Sequence, residues 1–256
     1  MSRFDVAIAT RRPKTLYVVV NLLKRLGIDF EICTPEDGKC DSAKVVITTE
    51  EETTNLDPSR LVTVQRNSDV DHIEIEVMLK LLGVDEIKEI VIGVDPGLRF
   101  GLALVVNGCV IFSRTISSPH EAVHLTRKLA VYSHQRFPDN RFIIRLGTGS
   151  RLYYVLYLRA LTNTISGVVV ELVNEHHTTL PSGYTTDQSS AVMIAARTGR
   201  TSSKNDLKLK PKPGYIRALK HLVAKLTNNE INLSTEDARS VLLDRITLAS
   251  VLEDEN

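Results

Sequence analysis

Tryptophan is absent from this 256-residue chain and aromatic residues make up only 5% of it, so a broad stacking platform for unpaired bases is not expected. Nowhere do about 18 apolar residues follow one another, and the start, MSRFDVAIATRRPK, has no small-residue cleavage site, so neither a membrane span nor a removed leader is read. The three cysteines, Cys33, Cys40 and Cys109, are odd in number and show no zinc or redox spacing. Neither a disulfide framework nor a structural zinc site is therefore expected, and a reducing cytoplasm is the simplest compartment. No glycine-rich phosphate loop follows any strand-like run, which removes the nucleotide-binding fingerprint.

What is present is an uneven distribution of charge. Residues 1–87 carry 11 Lys and Arg against 16 Asp and Glu, residues 88–225 carry 19 against 8, and residues 226–256 carry 2 against 7. The middle of the chain is the place for an anionic partner.

Hydrophobic periodicity divides the chain into three parts. Residues 1–87 alternate strand-like runs (FDVAIAT, IDFEICT, KVVITTE, RLVTVQ) with amphipathic stretches at 14–26 and 69–82, a small α/β domain of unknown role. Residues 88–200 begin with the apolar strand EIVIGVD. A second strand, 101–106, meets a third, CVIFSRTI, across Asn107-Gly108, the two-residue turn that best closes a hairpin. A helix at 121–136, the strand RFIIRL, a helix around 152–161, the strand VVVELV and a helix at about 187–198 follow, in the order β-β-β-α-β-α-β-α. VVVELV is expected to lie parallel and adjacent to EIVIGVD. The Ser/Lys/Pro-rich stretch 199–214, which contains LKLKPKP and leads into the third part, 201–256, reads as an exposed basic connector. Helices over 215–226 and 234–252 complete a C-terminal extension.

Three acids stand at strand or helix ends. Asp95, in GVDPGLRFG, closes an apolar strand just before Pro-Gly, where turn chemistry alone is a sufficient explanation. Glu175, in VELVNEHHTT, follows another strand, although a lone loop glutamate is ordinarily a solvated one. Adjacent His176 and His177 point to opposite sides of an extended chain, so they do not share a metal. Asp187 opens a helix, where it complements the dipole. Turn and dipole chemistry do not explain why all three fall at corresponding element ends of one α/β sheet.

The element order, GVDPG ahead of a small-residue hairpin, NEHHTT after the fifth strand and D-x-x-S-A-x-x-I on the last helix together resemble the ribonuclease H-like superfamily. Within it they look most like the RuvC-like and YqgF-like nucleases, over roughly residues 89–199. The resemblance implies an α/β fold with a ribonuclease H-like mixed sheet and phosphodiester hydrolysis of branched DNA or precursor RNA. It further implies Mg²⁺ or Mn²⁺ held by Asp95, Glu175 and Asp187 as catalytic carboxylates. RuvC-like enzymes carry a further acid at the fourth strand, where this chain has Arg145 and Gly147 instead. That departure motivates the alternative of a scaffold that binds DNA, RNA or a ribonucleoprotein without cutting. A nucleotide-hydrolysing relative of sugar kinases and actins fits less well, because no second phosphate loop is visible.

Arg99, Arg145, Arg151, Arg159, Arg197, Arg200, Lys204, Lys208, Lys210 and Lys212 are the phosphate-contact candidates, giving affinity and salt dependence without base readout. The expected partner is structured DNA or RNA. RuvC-like relatives imply a homodimer, for which Ile216, Leu219, Leu222, Val241, Leu242, Ile246 and Leu248 are available, although helical spacing assigns those residues to an intramolecular core.

Overall fold

The computed structural model describes residues 4–36, 40, 42–53, 56–174 and 187–253. The chain divides into two compact units, Met1–Ile87 and Lys88–Asn256.

In the first unit, β1 (Val6–Ala9), β2 (Phe30–Cys33), β3 (Val45–Thr49) and β4 (Leu61–Val64) form a parallel sheet in the order β2-β1-β3-β4. Helix α1 (Pro13–Leu26) starts on a proline and stops at Gly27, whose φ of 67° is the left-handed value a helix end favours. Its buried Val19, Leu22 and Leu23 pack, with Ile73 and Val77 of α2 (Val70–Leu81), on Val6, Ile8, Val45 and Ile47. The opposite face is made of small residues, Ala7, Ala9 and Val46, against Cys33, Cys40, Ala43 and Leu56. Cys33 and Cys40 are joined there in a disulfide, with Cα atoms 6.1 Å apart, and Cys109 is a free cysteine. The disulfide corrects the expectation of unpaired cysteines and removes the cysteine-based ground for a reducing compartment. A spacing of seven has no signature in the sequence; the pairing follows from where β2 ends.

The second unit is a mixed α/β layer structure. Its strands are β5 (Glu89–Asp95), β6 (Phe100–Val106), β7 (Cys109–Ile116), β8 (Arg141–Gly147), β9 (Val169–Val173) and β10 (Arg200–Thr201), arranged β10-β9-β8-β5-β6-β7. The first three are antiparallel, β8 runs parallel to β5, β9 parallel to β8, and β10 antiparallel to β9. Thus β9 is parallel to β5 but not its neighbour, because β8 lies between them. Asn107 (φ 49°) and Gly108 (φ 83°) form the turn between β6 and β7. The Asn107 side-chain oxygen also accepts the backbone N–H groups of Lys88 and Glu89, at 2.9 and 3.1 Å.

Helices α3 (Pro119–Arg136) and α4 (Arg151–Thr164) cover one face, where Phe100 meets the fully buried Tyr157. The Tyr157 hydroxyl, its pKa pushed up by burial, hydrogen bonds Thr126 at 2.7 Å. Helix α5 (Asp187–Ala195) covers the other face and comes close because two of the strand residues beneath it are glycines. A Cβ at Gly93 would collide with the Ala191 carbonyl, and one at Gly101 with the Asp187 carbonyl.

The remaining helices, α6 (Pro213–Leu226), α7 (Thr235–Leu242) and α8 (Leu248–Glu253), belong to this unit too. Ile216, Leu219, Leu222, Val241 and Leu242 are buried in its core, whereas Ile246 is exposed. The helix anticipated over 234–252 is two helices, parted near Asp244, whose φ of 62° no helix can continue through. No helix is long and apolar enough to cross a membrane among the described residues.

Candidate functional site

Asp95 is the last residue of β5, half-buried, and lies opposite Gly101 in the antiparallel pairing. Alternation along a strand puts Asp95 on the same face as Gly93, which is the face α5 covers. Asp187 is the first residue of α5 and its backbone lies directly over Gly101. The two acids are therefore brought to one edge and one face of the sheet by a contact that only glycine permits. Asp187 forms an ion pair with Arg99, Nε to Oδ2 3.1 Å, across the turn that follows Asp95. Glu175, with the histidines and threonines after it, lies outside the described residues; β9 ends two residues before it. Among the described residues no group of three or more His, Cys, Asp or Glu side chains is placed to hold a metal.

Arg145 departs from the expectation of a phosphate contact. It is 6% exposed on the α5 face of β8, its Nε donates to Glu171 of β9 at 2.9 Å, and it also donates to the Ala195 carbonyl at the end of α5. Glu89 lies 3.9 Å away. The guanidinium is thus a buried strut between three strands and a helix, two residues short of the strand ends that carry the candidate acids. Arg159 is buried as well and donates to the carbonyls of Leu207, Val241 and Leu242. Burial lowers its pKa and Asp244, 3.6 Å away, raises it. Both arginines carry structure rather than facing solvent, which polarity alone did not reveal.

The other basic candidates gather. Where β8 and β9 end, Thr148, Arg151, Tyr154, Asn174, Gly199 and Arg200 line a cleft of 590 Å³. Arg151 continues into a second cleft of 820 Å³ with Lys204, Lys208, Lys210, Lys212 and Tyr215. Residues 199–214 are not a loose connector. Arg200 and Thr201 pair with β9, and Arg200 forms a bidentate ion pair with Asp206. Asp206 also accepts from the backbone and hydroxyl of Ser203, both at 2.8 Å. The arginine's hydrogen bonds, followed by those of Ser203, hold the Asp206 carboxyl well below the usual range against the opposing effect of burial. Leu209 is buried and Arg151 donates to the Lys208 carbonyl. Arg197 is half-buried beyond the end of α5.

In the first unit, the crevice between β1 and β3 at the strands' C-terminal ends is where an open α/β sheet takes its ligand. Here the chain's own Glu52 fills it, accepting from the hydroxyls of Thr10 and Thr49 and the backbone of Arg11. Those hydrogen bonds outweigh the upward push of burial and lower the Glu52 pKa.

No protein-family model matches the sequence, and no curated protein matches it. Among solved structures, one described as "Thermus thermophilus RuvC structure" is similar at 11% sequence identity over 60% of this chain and 89% of that chain, with a TM-score of 0.25.

Proposed function

We propose that the second unit is a metal-dependent endonuclease acting on structured nucleic acid, with Asp95, Glu175 and Asp187 as its carboxylates. The observation that carries the reading is the convergence of Asp95 and Asp187 over Gly101, at the same end of the sheet as the cleft where β8 and β9 end. A three-stranded antiparallel meander extended by two parallel strands, with the first acid on the central strand, supports the ribonuclease H-like reading.

The donors suit a hard divalent ion, since they are carboxylate oxygens with one acid on a rigid strand. Mg²⁺ or Mn²⁺ bound there would activate water and stabilise the leaving oxygen of the phosphodiester. In that arrangement Asp95 supplies a fixed oxygen donor. Asp187, which pairs with Arg99 here, would be the second oxygen donor, and an Arg99 relieved of that pair would be placed to meet a phosphate.

The test is cleavage of labelled four-way DNA junction, duplex DNA, single strands and structured RNA with Mn²⁺, Mg²⁺ or EDTA, paired with Mn²⁺ titration calorimetry. The wild type cuts only with metal, and Asp95→Asn loses both cutting and the Mn²⁺ heat. Full cleavage by Asp95→Asn would remove these carboxylates from the chemistry. The alternative, a non-cutting scaffold, has a specific observation behind it: the fourth strand, β8, carries Arg145, paired with Glu171 of β9, and has no acid at its end. Salt-sensitive binding without cleavage, unchanged in Asp95→Asn, is its signature.

A further inference from the structure

The segment Lys208-Leu209-Lys210-Pro211-Lys212 alternates in exposure. The three lysines are exposed, Leu209 is 5% exposed, and Pro211 is half-buried. The inward residues fix the segment while the outward ones form a row. It is held from beneath at two carbonyls, that of Leu207 by Arg159 at 2.8 Å and that of Lys208 by Arg151 at 3.2 Å. A turn bond from the Lys212 N–H to the Lys210 carbonyl, at 2.8 Å, ends the row. Between Lys208 and Lys210, ahead of that turn, two residues of extended chain advance about 6–7 Å, close to the separation of successive phosphates along one nucleic-acid strand.

The surrounding charge is one-sided. Lys204, Lys208, Lys210, Lys212 and Arg151 line the same 820 Å³ cleft. Among the described residues its one acid, Asp244, is paired with Arg159, and the nearby Asp206 is paired with Arg200. The cleft is of ligand size, far too small for a double helix. Through Arg151 it joins the cleft at the ends of β8 and β9. Strand β5, which ends in Asp95, is the neighbour of β8, one strand spacing of about 5 Å away.

We propose that this lysine row guides a single nucleic-acid strand, held by its phosphates, along the cleft toward the Asp95 edge. The substrate of the proposed nuclease is therefore an unpaired tract or arm rather than continuous duplex; the inference rests on that reading for its destination but not for its binding. With a single tyrosine, Tyr215, beside the row, attachment is electrostatic, steep in salt and indifferent to base identity.

The test separates binding from chemistry by using full-length Asp95→Asn in EDTA. Fluorescence anisotropy measures affinity for labelled single strands of about 12 nucleotides, DNA and RNA, and for a hairpin duplex, over a series of salt concentrations. Single strands bind at least ten-fold tighter than duplex. The triple variant Lys208→Gln/Lys210→Gln/Lys212→Gln loses about 2 from the slope of log affinity against log salt, and the matching triple Lys→Arg variant restores it. Changing Lys14 and Lys80 of the first unit to Gln leaves the slope alone. Equal or tighter duplex binding, or an unchanged slope in the triple Gln variant, overturns the proposal. Strand binding without metal-dependent cutting by the wild type would sink the nuclease reading and leave this one standing.

Discussion

Arg145 shows how a single side chain can be misread when only its charge is visible. Placed on β8 opposite Gly93 and Glu171, it has too little room to meet solvent, and its value is structural. Removing one partner of such a pair strands the other charge, whereas removing both does not. Arg145→Met should therefore lower unfolding free energy by about 3–5 kcal/mol, and Arg145→Met/Glu171→Leu should recover most of that loss. Urea titrations of the two variants decide the matter; equal losses would mean that the pair is not coupled. Asp206 allows a test by pH. Its folded pKa lies below the unfolded value of 3.8, so its contribution is complete above that value and disappears as pH falls through the folded one. Thermal unfolding between pH 7 and 2 should show the wild type falling away below about pH 4. Asp206→Asn should be less stable at neutrality and have a shallower acid limb; parallel profiles would contradict the assignment.

At the scale of elements, the hairpin between β6 and β7 was the most legible part of the sequence, because Asn-Gly flanked by apolar runs has a local cause. Asn107 does more there than turn the chain, since its side chain also closes the start of β5. Asn107→Ala should cost about 2 kcal/mol, from a left-handed backbone and lost hydrogen bonds. Asn107→Gly should recover only the backbone share, and chemical denaturation of both variants would show any departure. Elements whose cause is not local were the ones missed. Strand β10 is two residues long and rests on backbone pairing, with Gly199 pressed against the Leu172 backbone. The break at Asp244 follows from a left-handed residue beside the buried Arg159, and the neighbouring sequence does not announce it. The candidate acids were legible individually, as ends of apolar runs. Their meeting was not, because it depends on what glycine at 101 permits a helix 86 positions later in the chain to do.

At the scale of the whole molecule, each unit holds its own core, and covalent reinforcement falls only on the first. The Cys33–Cys40 bond closes a short loop over the small-residue face of that sheet, a constraint of roughly 2–3 kcal/mol for so small a ring. Reduction should accelerate hydrogen exchange in strands of the first unit and leave β5 to β9 unchanged; equal acceleration in both would mean that they unfold as one. The sheet of the second unit has a different consequence, which concerns how it is built. Its meander, β5 to β7, needs only neighbouring sequence, and β8, β9 and β10 are then laid down one outside another on the free edge of β5. No strand has to be inserted between two already paired. A chain emerging from the ribosome can thus assemble this sheet by accretion in the order of synthesis, each arrival finding its edge already exposed. Helix α3, which touches β6, β7 and β8, completes its seat only once β8 has arrived, and α5, made later still, is laid over β5, β6 and β8 already in place.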